Sequence, residues 1–217
     1  MSRTDIGSKA PRPSRRRGGR LRLKVDEQSL LDAVICGTWL RLIEAIVGER
    51  SMQEGLLAAR DGAVRSLSVE AGVISGPVQA DAESSLAVQI TMPVIDEMGW
   101  AKLIEAMACE AIWAAKLLED EVPAGLEDLF HGCGMPLIPE QAHLETTVEK
   151  GGRRDGWRVA ALAWLAAERL YRDPLCILGV RGMECATLIE RIGHHRAIRT
   201  QGEAVSHPPI VLDPDIA

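Results

Sequence analysis

The sequence predicts an α+β fold that is mostly helical, with long helices packed on a small three-stranded antiparallel sheet. Three observations carry this prediction. Of the 217 residues, 47% are hydrophobic but only 3% are aromatic, so the core must be built from aliphatic residues and methionine, most of which favour helix. Several segments repeat apolar side chains at helical spacing, and residues 63–92 alternate with a period of two.

The first helical segment covers residues 26–47 and predicts one long or kinked helix that Gly37 interrupts. A shorter helix is expected over residues 51–60, with Ser51 as its N-cap. The pair Asp61-Gly62 is typical of a helix end.

Residues 63–92 predict three antiparallel strands in a meander, half-buried on one face. Gly76-Pro77 falls in the middle strand, where proline cannot donate a ladder hydrogen bond. The sequence therefore predicts a bulge or an interrupted ladder there.

Helices dominate again after the strands. A strongly apolar helix is expected over residues 95–118 and a short one over residues 124–130. A helix beginning near Trp157 should stop at Asp173-Pro174, and a final helix should cover residues 184–192.

Composition divides the chain into four regions. Residues 1–24 are predicted to be a disordered basic arm, residues 25–140 a domain of helices and strands, residues 141–195 a loop-helix unit with the C-terminal helices, and residues 196–217 an extended tail. The arm holds nine Lys and Arg against Asp5, a charge of +8; since the whole chain is −6, the remainder is −14.

A basic arm on an acidic body points to an anionic partner. The candidate phosphate contacts are Arg15, Arg16, Arg17, Arg20 and Arg22, which would bind nucleic acid without reading its sequence. A solubilising tail is the alternative. The arm has no aromatic residue that would stack on bases.

The spacing of the cysteines and the hydropathy of the chain indicate the cellular compartment. Five widely spaced Cys with no Cys-x-x-Cys pattern are typical of reduced thiols in a cytoplasmic protein. No apolar run approaches the roughly 20 residues that a membrane span needs, so no membrane partner is expected.

Several separated motifs occur in one order along residues 35–190. They are Trp39-Leu-Arg-Leu-Ile-Glu44, Arg50 with Gly55 to Val64, Glu70 to Gln79, Lys116 to Pro123, Gly134 to Pro139, and Ala167 to Gly182. Together they resemble bacterial SWIM zinc-finger proteins. The resemblance implies a module that binds nucleic acid or another protein. Proteins of this family are often linked to a Snf-type helicase-like ATPase.

The zinc ligands of that family are absent from the matching positions. Val148 and Lys150 fall near its Cys-x-Cys pair, while Trp157 and Val159 replace its third Cys and its His. None of these side chains ligates zinc. We therefore expect no metal cofactor, and we expect Trp157 and Val159 to hold the finger by packing instead. His131, Cys133 and His143 are the alternative zinc ligands.

The turn before the finger helix is also basic. Lys150, Arg153, Arg154 and Arg158 lie beside Gly151-Gly152 and form a second candidate site for phosphate or an acidic partner. A solvated loop is the alternative.

No motif of nucleophile and base, phosphate loop or zinc protease occurs, so a non-catalytic protein is expected. The predicted function is DNA binding through the arm and the basic turn. The alternative is a structural subunit that docks on a protein, such as a helicase-like ATPase, without touching nucleic acid.

Overall fold

The computed structural model describes residues 20–79, 85–149 and 151–206, apart from the side chains of residues 153 and 201–206. The predicted helix over residues 26–47 is two helices, α1 (Glu27–Asp32) and α2 (Val34–Val47). The extended backbone of Ala33 separates them. The Asp26 carboxylate caps α1 by accepting the backbone N–H of Ser29 at 2.9 Å.

Helix α3 (Glu49–Asp61) begins two residues before the predicted start, because Gly48 and not Ser51 is its N-cap. Its end is as expected. Gly62 closes α3 in the left-handed conformation, with φ of 80°, which a residue with a side chain rarely adopts.

The three predicted strands are β1 (Ser68–Glu70), β2 (Val73–Gln79) and β3 (Ser85–Thr91), which pair antiparallel in that order. A fourth strand, β4 (Glu145–Val148), pairs with β3 from Thr91↔Glu145 to Val88↔Val148. The predicted fold class, mostly helical with a small antiparallel sheet, is confirmed, with four strands instead of three.

The interruption predicted at Gly76-Pro77 occurs on the β1 side of β2, where the ladder ends at Ser68↔Ser75 and resumes one residue out of register at the isolated bridge Val64↔Val78. The ladder between β2 and β3 is continuous, with Gly76 opposite Val88 and Pro77 opposite Ala87. β1 pairs only as far as Ser75, so Pro77 lies beyond the end of β1, and its carbonyl accepts the backbone N–H of Arg65 at 3.1 Å. Proline therefore sits where no β1 partner needs its missing N–H.

The predicted helix over residues 95–118 divides into α4 (Glu97–Ala108) and α5 (Ala111–Leu118), because Glu110 is extended. Helix α6 (Leu126–Gly132) follows. The ring of Trp100 on α4 meets that of Phe130 on α6 edge to face, with centroids 5.9 Å apart. This contact joins α4 and α6 within the core.

Helix α7 (Gly156–Arg172) lies at the centre of the molecule, between α2 and α3 on one side and strands β2, β3 and β4 on the other. It stops at Asp173-Pro174, as predicted. Two tryptophans link α7 to α2 and α3. The indole N–H of Trp39 on α2 donates to the Ala163 carbonyl of α7, and the indole N–H of Trp164 on α7 donates to the Met52 carbonyl of α3, each at 3.1 Å.

The chain continues through α8 (Cys176–Val180) into α9 (Cys185–Ser206), which packs against α4 and α5. The final helix is longer than residues 184–192, and the tail predicted to be extended from residue 196 is helical as far as Ser206. Residues 207–217 lie outside the described residues.

The sheet and the core each include residues on both sides of the predicted boundary at residue 140. Strand β4, beyond the boundary at residue 140, belongs to the same sheet as β1–β3, and α7 fills the core that α2 and α3 also line. Leu23, which falls within the predicted arm, is 7% exposed and belongs to that core. Among the described residues, no helix has the length and apolar character needed to cross a membrane.

Candidate functional site

Two of the four positions that match zinc ligands lie at one recess. Val148, at the end of β4, and Val159, in the first turns of α7, line the same surface recess of about 380 Å³. Val159 is buried in the core, as expected. Trp157 is half-buried and does not line that recess, and Lys150 lies outside the described residues.

A close contact between α3 and α7 fixes the start of the finger helix. A Cβ added to Gly55 would lie 2.4 Å from the Cβ of Ala160 and 2.8 Å from the carbonyl oxygen of Trp157. These distances exclude any side chain at Gly55 without movement of the α7 backbone. The glycine in the Gly-x-x-x-Ala-Arg segment is therefore required by the approach of two helices.

Arg158 is an internal residue and not part of an exposed basic cluster. Its side chain donates from Nε to the Asp155 carboxylate at 3.0 Å and from a terminal nitrogen to the Val78 carbonyl at 2.8 Å. Its guanidinium also lies 4.5 Å from the centroid of the Trp157 ring. Arg158 is 6% exposed, so its side chain lies inside the protein and not on the surface where phosphate contact was predicted.

Asp155 organises the turn that precedes α7. Its carboxylate accepts the backbone N–H of Gly152 at 2.7 Å and the guanidinium of Arg158 at 3.0 Å. The backbone hydrogen bond from Gly152, and next the bond from Arg158, lower the pKa of Asp155 below its ordinary value. Asp155 and Arg158 thus join the turn, α7 and β2 by hydrogen bonds.

The other predicted arginines of this turn differ from Arg158. Arg154 is exposed and makes no side-chain hydrogen bond or ion pair within the described residues. The side chain of Arg153 and all of Lys150 lie outside the described part. We call residues 151–158 the finger turn.

The alternative zinc ligands are not gathered into a site. His131 is exposed on α6, Cys133 follows that helix, and His143 is exposed before β4. Over residues 20–79, 85–149 and 151–206, no group of three or more His, Cys, Asp or Glu residues is placed to hold a metal ion.

Two cysteine thiols, the buried Cys36 and the half-buried Cys176, have raised pKa values. Desolvation raises the pKa of Cys36 and that of Cys176 to about 11. Both groups are therefore protonated at neutral pH, and the thiolate is the reactive form of cysteine.

Residues 20–24, the part of the arm that the structure describes, form a short extended segment that we call the arm anchor. The backbone N–H of Leu21 donates to the Val64 carbonyl at 2.9 Å, and that of Leu23 donates to the Ala59 carbonyl at 3.0 Å. The side chain of Leu23 is buried. The backbone N–H of Lys24 donates to the Glu168 carboxylate at 3.2 Å.

Arg20 and Arg22 are the exposed cations of the arm anchor. Both pack over the end of α3: a Cβ on Gly62 would lie 3.1 Å from Cγ of Arg22 and 3.2 Å from Cβ of Arg20. Within the described chain, neither guanidinium has a hydrogen-bond or salt-bridge partner. Arg15, Arg16 and Arg17 precede the anchor and lie outside the described residues.

The sequence of the anchor carries a signal for its extended conformation. In Arg20-Leu-Arg-Leu-Lys24 apolar and basic residues alternate, the pattern of an extended segment with one face on the protein. The abundance of arginine, glycine and proline before it favoured disorder for the whole arm.

Comparison with known proteins places the chain near one bacterial relative. The uncharacterized protein Rv2102 of Mycobacterium tuberculosis is 32% identical over 171 residues, covering 75% of this chain. The chain spans 61% of the length of that relative. No family model and no solved structure matches the chain.

Proposed function

We propose that this protein is a non-catalytic DNA-binding adaptor with a SWIM-like scaffold, and that the arm with its anchor contacts the phosphate backbone. The observation that carries the proposal is the arm anchor. Backbone hydrogen bonds from Leu21 and Leu23 fix it to the body, while Arg20 and Arg22 remain exposed beside Gly62. An arm fixed in this way presents its preceding arginines from a defined place.

The distribution of charge supports the same proposal. The arm carries +8 on a body of −14, so most of the body repels a polyanion while the arm attracts it. Contact through such an arm is limited in area and blind to sequence. The finger turn contributes structure, since its Arg158 is occupied by Asp155 and the Val78 carbonyl.

The test is the affinity of the full chain for a short DNA duplex as a function of salt, measured by fluorescence anisotropy. Replacement of Arg15, Arg16, Arg17, Arg20 and Arg22 by Gln removes five cations. The slope of the logarithm of the association constant against the logarithm of salt concentration should fall in magnitude by up to about 4.5 if each of the five arginines contacts one phosphate.

A control variant removes cations from the body instead. Arg41, Arg50 and Arg154 are exposed and are replaced by Gln. This variant should keep the slope of the unaltered protein. Absence of binding at low salt would contradict the proposal and would favour the alternative, in which the protein docks on another protein. The family resemblance implies a Snf-type helicase-like ATPase as that partner.

A further inference from the structure

Strand β4 lies at the edge of the sheet, where β3 is its neighbour on one side. The backbone N–H of Glu149 donates to the carbonyl of Ala87, the residue directly opposite, at 2.9 Å. In an antiparallel ladder such bonds come from every second residue, so Thr147 also bonds to β3. The residues between them, Thr146 and Val148, therefore direct their backbone groups away from β3.

Most of these outward backbone groups have no partner. Over residues 20–79, 85–149 and 151–206, the N–H and carbonyl of Thr146 and the N–H of Val148 make no hydrogen bond. The Val148 carbonyl accepts the N–H of Gly151 at 3.0 Å, at the start of the finger turn. An edge with unpaired backbone groups is a template on which another extended segment can add as a strand.

An apolar recess lies beside this edge. It is the recess of about 380 Å³ that Thr146 and Val148 line from β4, and Ile46 and Val47 line from the end of α2. Thr146 lies opposite Ile90, which is buried, so the recess is on the core side of the sheet. In an added strand, the residue opposite Thr146 places its side chain on that same side. An aliphatic side chain at that position would enter the recess.

The outer face of β4 is acidic. Glu145 and Glu149 are exposed there, one at each end, with Thr147 between them. Neither carboxylate makes an ion pair within the described part of the chain. Opposite charges across two strands stabilise the pair, and like charges destabilise it. The edge therefore favours a strand with basic residues at its two ends, and it disfavours a second copy of β4.

We propose that the free edge of β4 binds an extended segment of a partner protein, which adds to the sheet as a fifth strand. The segment has the pattern basic, aliphatic, any residue, aliphatic, basic. Its aliphatic side chains enter the recess opposite Thr146 and Val148, and its basic side chains lie opposite Glu145 and Glu149. None of residues 20–24 lines the recess, so this site is separate from the arm anchor and does not rest on DNA binding.

The test measures amide hydrogen exchange by NMR on the isotope-labelled full chain. The probe is a synthetic peptide with blocked ends and the core Lys-Val-Thr-Val-Lys. Exchange of the Thr146 and Val148 amides should slow when the peptide is added, because those N–H groups gain acceptors. A peptide with Glu in place of both Lys should not bind.

A variant that fills the recess tests where the peptide binds. Gly152 lines the recess, a Cβ there meets no atom within 4 Å, and its φ of −136° suits any residue. Gly152→Leu should therefore fold and should weaken peptide binding by about tenfold or more. The matched control is Gly193→Leu, at an open position on α9, which should leave binding unchanged.

A charge exchange tests the predicted pattern. Replacing exposed Glu145 and Glu149 together by Lys should make the protein prefer the Glu peptide. Unchanged exchange at Thr146 and Val148 with the Lys peptide would overturn the proposal, as would equal binding of the two peptides or full binding by Gly152→Leu. Slow exchange of these amides before any peptide is added would overturn it too, because the chain itself or a second copy would then occupy the edge. Gly152→Leu should bind a DNA duplex like the unaltered protein, so this test and that of DNA binding can fail separately.

Discussion

The arm anchor and the finger turn both carry arginines, but the fold uses those arginines in opposite ways. In the arm anchor the backbone makes the structural contacts, and Arg20 and Arg22 stay exposed. In the finger turn the side chain of Arg158 makes the structural contacts, to the Asp155 carboxylate and to the Val78 carbonyl. Arginines of a basic cluster therefore stay exposed where other groups hold the chain, and become internal where their own side chains hold it.

The largest effect is expected at the helix contact that supports the finger turn. Gly55→Ala places a Cβ 2.7 Å from the backbone nitrogen of Ala161, so α3 and α7 must separate. The cost should be about 3 kcal/mol of unfolding free energy, measured by denaturant titration. Gly193→Ala on α9 meets no atom within 4 Å and should be neutral or stabilising. Equal effects of the two changes would contradict the packing described here.

Arg158 and Arg154 give the next contrast, within the finger turn. Arg158→Ala leaves the Val78 carbonyl and the Asp155 carboxylate without their partner, which should cost about 2–3 kcal/mol in the same titration. Arg154→Ala removes an exposed side chain and should change stability by less than about 0.5 kcal/mol. A stable Arg158→Ala protein would mean that this network does not hold the turn.

The Asp155 carboxylate predicts how the finger turn responds to pH. Because hydrogen bonds from Gly152 and Arg158 lower its pKa in the folded state, the stabilisation is present above the ordinary aspartate pKa of about 3.9 and is lost as pH falls through the folded pKa. The stability difference between the unaltered protein and Asp155→Asn should shrink in that acidic range. A difference that is constant with pH would show that the Asp155 charge plays no part.

Hydrophobic periodicity predicted the elements that have long periodic segments. It did not predict the elements and contacts that depend on residues distant in the sequence. The aliphatic repeat of α7 and the alternation over residues 68–91 are local signals, so their elements were predicted correctly. Strand β4 has four residues and exists because β3 offers it a partner. Gly55 resembled a motif residue, but its role depends on Ala160, more than a hundred positions away.

The candidate site was predictable in its residue types but not in its geometry. The sequence identified arginines in two places. Burial of Arg158 depends on its reach to Val78 in the sheet, and exposure of Arg20 and Arg22 depends on backbone bonds to Ala59 and Val64. Local composition signals neither contact, although the alternation in Arg20-Leu-Arg-Leu-Lys24 indicates that the anchor is extended.

The central claim is that the arm anchor, and not the finger turn, contacts DNA phosphates. The most direct measurement compares two variants with equal charge loss, Arg20→Gln with Arg22→Gln and Arg50→Gln with Arg154→Gln, by duplex affinity over about 50 to 200 mM salt. The first pair should reduce the magnitude of the salt slope by up to about 1.8 while the second leaves it unchanged. Equal slopes for the two variants, or a loss confined to the second, would contradict the claim.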